Sequence, residues 1–172
     1  MGNRKAREFV KKQELDAAWL QVTNQPRSAL TNVIAPGIGR RCIQLILSPS
    51  FETGRAWEIR EFRGEWRLFG SEIISDVGRP MELIGYSRLS IASAILESFT
   101  NRLLSISLPI ATRVEGMDGA DGVIYQLATF GDFFSEARFQ WWSYPPSAWR
   151  PLADIAAEMI KAFQAARPLA SN

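Results

Sequence analysis

The chain has 172 residues, about the size of one ordinary domain. Its hydrophobic share of 47% and its charged share of 22% are typical of a globular protein and argue against intrinsic disorder. Its formal net charge of +2 argues against the strong positive field that a dedicated polyanion-binding protein carries.

The first 41 residues predict a helix followed by a hinge. Residues 3–23 follow the period of an amphipathic helix, and Pro26 ends it because the residue before a proline avoids helical backbone angles. Eight basic and three acidic residues lie within residues 1–41, as a solvated helix face or as a basic arm. We predict that residues 1–40 form an N-terminal helix and linker arm, and that residues 41–172 form a single α+β domain.

Three strands are predicted next, over residues 41–48, 55–62 and 65–75, the last two joined by a hairpin at Arg63-Gly64. Alternation predicts one apolar face, made of Trp57, Ile59, Trp66 and Leu68. It predicts a second, solvated face whose opposite charges pair across strands, made of Glu58, Arg60, Glu65 and Arg67. Residues 81–85 predict no more than a short edge segment.

Residues 90–105 predict the central helix, with Ser87 or Ser90 able to cap its start. Its predicted ladder comprises Ile91, Ala94, Ile95, Ser98, Phe99, Arg102, Leu103 and Ile106. Glu97 and Arg102 are its charged residues, and this low charge predicts burial on more than one side.

The C-terminal part predicts two strands, over residues 123–130 and 133–142, and a last helix. Ser147 can cap this helix, and Pro151 lies in its first turn, where a missing N–H costs least. Its apolar stripe comprises Leu152, Ile155, Ala156, Met159, Ile160 and Phe163. The predicted fold is therefore α+β: an antiparallel sheet of about five strands with an N-terminal, a central and a C-terminal helix, packed largely on one face.

Histidine is absent and cysteine occurs once, as Cys42. Ser-His-Asp and Cys-His nucleophile activation, histidine-ligated zinc and an intramolecular disulfide are therefore excluded. Cys42 itself is interpreted as a small buried hydrophobe rather than as a reactive thiol activated by Arg40. We predict no catalytic site, no metal site and no cofactor, so the protein would not be an enzyme.

Two acidic patterns leave an alternative open. A carboxylate pair for acid–base chemistry could come from Glu58, Glu61, Glu65, Glu72 and Glu82, although a solvated sheet surface explains the alternation with arginine. Residues 118–122 (Asp-Gly-Ala-Asp-Gly) invite a calcium interpretation, but Ala120 and Gly122 stand where ligands are needed, which favours a turn.

The six tryptophans are the most informative feature for a binding function. Trp142, Tyr144 and Trp149 could form an exposed aromatic cluster that anchors a protein partner. The alternative is a cap over the open end of the sheet. Nucleic-acid binding is disfavoured, because alternation separates the tryptophans from the arginines of the hairpin.

Three segments carry a resemblance: residues 121–127 (DGVIYQL), 137–142 (ARFQWW) and 145–152 (PPSAWRPL). Together they resemble small uncharacterised bacterial proteins, some of which look like immunity proteins of toxin–immunity pairs. The resemblance implies a hairpin followed by a helix and identifies no catalytic residue.

The expected function is a non-enzymatic protein-binding domain, in its specific form an immunity-like inhibitor of a protein partner. One alternative is a small-ligand-binding domain or a carboxylate-dependent enzyme, with a cavity lined by Trp57, Trp66 or Trp141. Another is a self-associating structural subunit of a phage or secretion assembly. No signal peptide or membrane-length apolar run is seen in the sequence, so a cytoplasmic protein without a membrane partner is expected.

Overall fold

The computed structural model describes residues 39–50, 52–74, 82–109, 122–131 and 136–169. They form an α+β fold in which one antiparallel sheet of seven strands packs against two α-helices. The strands are β1 (Arg40–Pro49), β2 (Gly54–Phe62), β3 (Glu65–Ile74), β4 (Glu82–Ser90), β5 (Val123–Phe130), β6 (Glu136–Trp142) and β7 (Arg167–Pro168). The helices are α1 (Ser93–Leu104) and α2 (Arg150–Ala165), the latter preceded by a 3-10 turn, Ser147–Trp149.

The strand order across the sheet is β6-β5-β1-β2-β3-β4-β7. Strands β1 to β4 follow one another as a meander, and β5 then returns to pair with the free side of β1. Leu45 of β1 consequently lies between Trp57 of β2 and Leu127 of β5. Strand β1 is therefore central, although it is the first strand in the chain.

The hairpin between β2 and β3 has the predicted two-residue turn. Arg63 and Gly64 both adopt positive φ angles, 54° and 80°, as a type I′ turn requires. The turn fixes the register in which Trp66 lies opposite Glu61, and Ile59 opposite Leu68. The predicted hairpin and its apolar face are confirmed.

The main core lies between the two helices and one face of the sheet, which we call the helix face. From the sheet it takes Cys42, Ile43, Leu45, Trp57, Ile59, Leu68, Leu89, Leu127 and Trp141. From the helices it takes Leu96, Phe99, Leu103, Leu152, Ile155, Ala156, Met159 and Phe163. Phe163 of α2 contacts both the sheet and α1, with its ring centre 6.0 Å from that of Trp57 and 5.9 Å from that of Phe99. The predicted stripe of the C-terminal helix is confirmed, with Ile160 at its half-buried margin.

Both helices start differently from the prediction. Ser87 and Ser90 cap nothing, because they belong to β4, and α1 begins at Ser93 without a side-chain cap. Ser147 lies in the 3-10 turn, which leaves α2 to begin at Arg150, with the predicted proline in its first turn.

The buried stripe of α1 is rotated from the predicted ladder. Leu96, Phe99, Thr100 and Leu103 are buried, whereas Ile95 is 45% exposed. The predicted burial on more than one side of this helix is therefore wrong for Ile95. The i, i+3, i+4 pattern admits both rotations, and packing of Leu96, Phe99 and Leu103 into the core selects one of them.

The predicted count of five strands was too low. Strand β4 runs from Glu82 to Ser90, although the sequence predicted only a short edge segment over residues 81–85 and assigned Ser87 or Ser90 to a helix cap. A register irregularity between Gly70 and Glu72, and a φ of 68° at Gly85, let this strand pair across a non-ideal stretch. Strand β7 is two residues that pair with Leu89 and Ser90. The predicted N-terminal helix (residues 3–23) and residues 118–121 lie outside the described residues.

Candidate functional site

The start of β1 directs its side chains to two different faces of the sheet. The pairing register of β1 with β2 shifts between Arg41 and Ile43, as a β-bulge produces. Cys42 and Ile43 consequently both lie in the core on the helix face. Arg41 is buried with the charged residues of the other face. We call that other face the Glu58 face; Gln44, Glu58, Arg60 and Gln126 lie on it.

Gly39 positions this bulge. Its φ is +87°, and an added Cβ would collide with the Glu61 carbonyl and the Phe62 side chain of β2. Its own carbonyl accepts a hydrogen bond of 2.8 Å from Arg60 Nη1. Only glycine allows this close approach of the start of β1 to the end of β2.

Arg41, Glu58 and Arg60 form what we call the buried charge cluster. Arg41 Nε lies 2.8 Å from Glu58 Oε1, and Arg60 Nε and Nη2 lie 2.9 and 2.8 Å from Glu58 Oε2. The three residues are 6%, 1% and 3% exposed. The prediction that Glu58 and Arg60 lie on a solvated surface is therefore wrong, because alternation assigns side chains to a face without saying whether the face is covered.

Other groups surround the cluster. Gln44 Nε2 donates to Glu58 Oε1 at 3.2 Å, and the Arg41 guanidinium lies 4.8 Å from the centre of the Phe130 ring. Burial, with a smaller contribution from the Glu58 charge, raises the pKa of Tyr86 to about 12. Tyr86 also stacks on Phe69, with ring centres 5.2 Å apart.

Burial dominates the electrostatics of the cluster. It raises the pKa of Glu58, and the Arg41 and Arg60 charges act against that rise. It lowers the pKa of Arg41, against the Glu58 charge. Both carboxylate oxygens of Glu58 are engaged by guanidinium groups, so the cluster joins β1 to β2 across the sheet.

The carboxylates considered for acid–base chemistry are dispersed. Glu61 Oε1 accepts the Gly64 backbone N–H at 2.6 Å and so braces the hairpin turn. Glu65 is exposed and binds Arg67 and Arg88, at 2.6 and 2.7 Å, and the Arg67 hydrogen bond leads the lowering of its pKa. Glu72 is exposed on β3, and the side chain of Glu82 lies outside the described residues. Opposite charges do not pair between β2 and β3 as predicted, because Arg60 lies opposite Arg67. Each of these arginines instead pairs with a glutamate on its own strand, Arg60 with Glu58 and Arg67 with Glu65.

A groove of about 520 Å³ opens between the C-terminal half of α1 and the sheet. We call it the α1 groove. Its lining comprises Arg40, Cys42, Ile43, Trp66, Thr100, Leu103, Leu104, Thr129, Phe130, Gly131, Glu136 and Ala137. These residues come from the start of β1, the start of β3, the end of β5 and the start of β6, which the strand order brings to one end of the sheet.

The floor of the α1 groove is apolar and its rim is open. Cys42, Ile43 and Leu103 are buried, and Leu104 on the rim is 75% exposed. Burial raises the pKa of the Cys42 thiol, against the neighbouring Arg40 charge. The interpretation of Cys42 as a small buried hydrophobe is confirmed. Thr100 Oγ1 donates to the Leu96 carbonyl, so this buried hydroxyl is satisfied within α1.

Two ion pairs flank the α1 groove. Arg40, half exposed, lies 3.9 Å from Glu61. Glu136 lies 2.9 Å from Arg138 and also interacts with the Arg41 charge. Phe130 belongs to both features, because it lines the groove and contacts the Arg41 guanidinium. The groove and the buried charge cluster therefore share a wall.

The structure does not gather the predicted aromatic cluster at one place. Trp149 packs edge-on against Phe139 at 5.3 Å, on the helix face, and its Nε1 donates to the Pro109 carbonyl at 3.3 Å. Trp142 follows the core residue Trp141 on β6 and so points to the Glu58 face. Tyr144 is 88% exposed. Whether any of these residues binds a partner stays a prediction.

No pattern in the sequence predicts the α1 groove as a site. Cys42 is predicted as a core residue, and Trp66 is predicted on the apolar face of the hairpin or, in the alternative, in the lining of a ligand cavity. Leu104 carried no signal, because a leucine at a helix end fits a buried stripe as well as an exposed rim. The groove depends on which strand ends lie side by side, and that order is not contained in local periodicity.

Among the described residues, no group of three or more cysteine, aspartate or glutamate side chains is placed to hold a metal ion. No helix within the described ranges is long and apolar enough to cross a membrane. Comparisons with protein-family models, with curated proteins and with solved structures found no match to this chain.

Proposed function

We propose that this chain is a non-enzymatic protein-binding domain that acts by contact and uses the α1 groove as its binding surface. The observation that supports the proposal is the apolar floor of this groove, open to solvent beside an exposed Leu104. An immunity-like inhibitor of a protein partner, working in the cytoplasm, is the specific form that we propose.

The α1 groove leaves apolar surface in contact with water. A large aliphatic side chain exposed at the rim of an apolar depression gains free energy when a partner covers it. Buried apolar anchors in pockets dominate the energetics of most protein interfaces. A groove that is open along its rim suits a protein segment better than a small molecule, which is normally enclosed on most sides.

A site-specific photocrosslinker at Leu104 tests the proposal. Ala157 is the control position, because it is exposed on α2 and does not line the groove. A protein crosslinked at Leu104 but not at Ala157 would then be purified and titrated against the chain. We expect a stoichiometric complex that Leu104→Asp weakens at least tenfold and Ala157→Asp leaves unchanged. Equal crosslinking from both positions, or an affinity that is insensitive to Leu104→Asp, would contradict the proposal.

A second candidate function, small-ligand binding, is favoured by one observation. The α1 groove is lined by Trp66, and a smaller depression of about 300 Å³ is lined by Trp57. Ligand pockets commonly measure roughly 300–1,000 Å³. Native mass spectrometry of the freshly purified chain distinguishes the two candidate functions. A small molecule that the wild type retains and that Leu103→Trp loses would support ligand binding. A bare chain mass would instead favour the protein-binding proposal.

A further inference from the structure

The two edges of the sheet differ in how they are protected. At one edge, β7 is only two residues long, ends in Pro168 and pairs with Leu89 and Ser90. Strand β4 beside it carries an irregularity at Gly85, whose φ is 68°. Short strands, prolines and bulges are devices that keep a sheet edge from pairing with another chain. This edge is therefore blunted.

Strand β6 forms the other edge and has none of these devices along its described length. It runs over seven residues, Glu136–Trp142, and contains neither proline nor glycine nor lysine. Its register with β5 is regular throughout. Glu136 and Arg138 bind each other along the strand at 2.9 Å. Among the described residues no strand pairs with the outer side of β6, so this edge is a template for a further strand.

The floor of the α1 groove reaches this edge. Ile43, Thr129 and Ala137 lie in one row across β1, β5 and β6, because Ile43 pairs with Thr129 and Thr129 pairs with Ala137. All three line the groove. Ile43 is buried, Thr129 is half-buried and Ala137 is exposed, so the row becomes more exposed towards the edge. A strand added to β6 would place its own side chain next in this row, about 4.5–5.5 Å from the Ala137 Cβ.

A second copy of β6 is poorly suited to supply that side chain. Its larger apolar residues on the helix face are already packed within their own molecule. Phe139 lies edge-on against Trp149 at 5.3 Å, and Trp141 stacks on Tyr125 at 5.6 Å. Ala137 is the remaining residue of β6 on that face, and its methyl group is too small to fill the groove. A segment of a different protein, with a free apolar side chain, fits better.

We propose that the partner of the α1 groove binds as an extended segment that pairs with the outer edge of β6 and places an apolar side chain beside Ala137, over the groove floor. This inference rests on the proposed function and specifies the mode of binding. Backbone hydrogen bonds to β6 supply affinity, and the groove selects the apolar side chain. Successive side chains of a strand point to opposite faces, so every second residue of the segment faces the groove side of the sheet.

Selection of a random linear peptide library, displayed on phage, against the full chain tests this mode of binding. Peptides that also bind Leu104→Asp are discarded, so the remaining peptides use the groove. Each peptide is then synthesised with a single N-methyl group at successive backbone amides, which removes one N–H donor at a time. Because alternate N–H groups of a strand point to its neighbour, we expect about tenfold weaker binding at every second amide and a change of about twofold or less between them.

Substitutions in β6 locate the added strand. Ala137→Arg places a long charged side chain at the edge of the groove and should weaken binding by about tenfold. Gln140→Arg is the matched control, because Gln140 is exposed on the same strand but lies opposite Gln126, on the Glu58 face. It should change the affinity by about twofold or less. Circular dichroism checks that each variant folds, and the N-methyl series keeps the test valid if Ala137→Arg does not.

The outcomes separate the two proposals. Peptides that depend on Leu104 but lack the two-residue period in the N-methyl series would overturn the inference and leave the proposed function standing. A two-residue period with no effect of a folded Ala137→Arg would also overturn it, because the strand would then add elsewhere. Sedimentation of the chain alone could reveal a dimer that Ala137→Arg dissociates, which would assign this edge to a second copy and overturn the inference as well. Failure to recover any peptide that depends on Leu104 would reject the proposed function and the inference together.

Discussion

Replacing Gly39 by alanine tests whether the start of β1 is held by close backbone approach. Gly39 and Gly64 both have φ angles near +80°, at 87° and 80°. A Cβ at Gly64 would meet no atom within 4 Å, whereas one at Gly39 would collide with the Glu61 carbonyl and the Phe62 side chain. Gly64→Ala therefore isolates the conformational cost, and Gly39→Ala adds a collision with β2.

The magnitudes follow from this difference. A left-handed conformation costs a residue with a Cβ about 1–2 kcal/mol, so Gly64→Ala should lower the free energy of unfolding by about that amount. Gly39→Ala incurs the same conformational cost. It must also displace the carbonyl of residue 39, which accepts the 2.8 Å hydrogen bond from Arg60 Nη1. Loss of a hydrogen bond to a charged group adds about 1.5–3 kcal/mol. We expect Gly39→Ala to cost about 2.5–5 kcal/mol in total.

Urea denaturation followed by tryptophan fluorescence measures both values. The rate at which a thiol reagent labels Cys42 gives a local readout, because Cys42 lies three positions from Gly39 and is 6% exposed. Gly39→Ala should accelerate labelling under native conditions, and Gly64→Ala should not. Equal destabilisation by the two substitutions, with unchanged labelling, would refute the claim that contact with β2 constrains this glycine.

Three further predictions concern charges and polar groups. Burial raises the pKa of Glu58 in the folded protein, so the protonated Glu58 side chain stabilises the fold below the ordinary pKa of 4.5, and this stabilisation is lost as pH rises through the raised pKa. The difference in unfolding free energy between wild type and Glu58→Gln should therefore change with pH over that range. A difference that stays constant with pH would contradict the prediction. Gln126 is 2% exposed and its Nε2 has no hydrogen-bond partner in the described structure, so Gln126→Leu should raise the unfolding free energy by about 1 kcal/mol. Gln140 lies opposite it on β6 and is exposed, so the control Gln140→Leu should change the unfolding free energy by less than about 0.5 kcal/mol. Arg102→Ala removes a bidentate but exposed pair with Glu158, at 2.6 and 2.8 Å, and should leave the urea midpoint nearly unchanged; a large decrease would show that this pair fastens α1 to α2.

The proposed function depends on one end of the sheet. There the bulge in β1 places Cys42 in the groove and Arg41 in the buried charge cluster. Substitutions at this end can therefore alter stability and binding together. The stability measurements on Gly39 and Glu58 are needed to interpret the binding measurements on Leu104.

Local pattern alone determined several elements of this protein. Two-residue alternation assigned Trp57, Ile59, Trp66 and Leu68 to one face, and the Arg63-Gly64 pair located the hairpin turn, because both depend only on neighbouring residues. The stripe of α2 was equally local. Only the tertiary structure decided which faces are covered and which strand ends meet. Glu58 is buried against Arg41 and Gln44 of β1, and Ile43, Leu104 and Phe130 meet at the α1 groove because β5 returns to the free side of β1. Both are contacts between distant segments that no periodicity encodes.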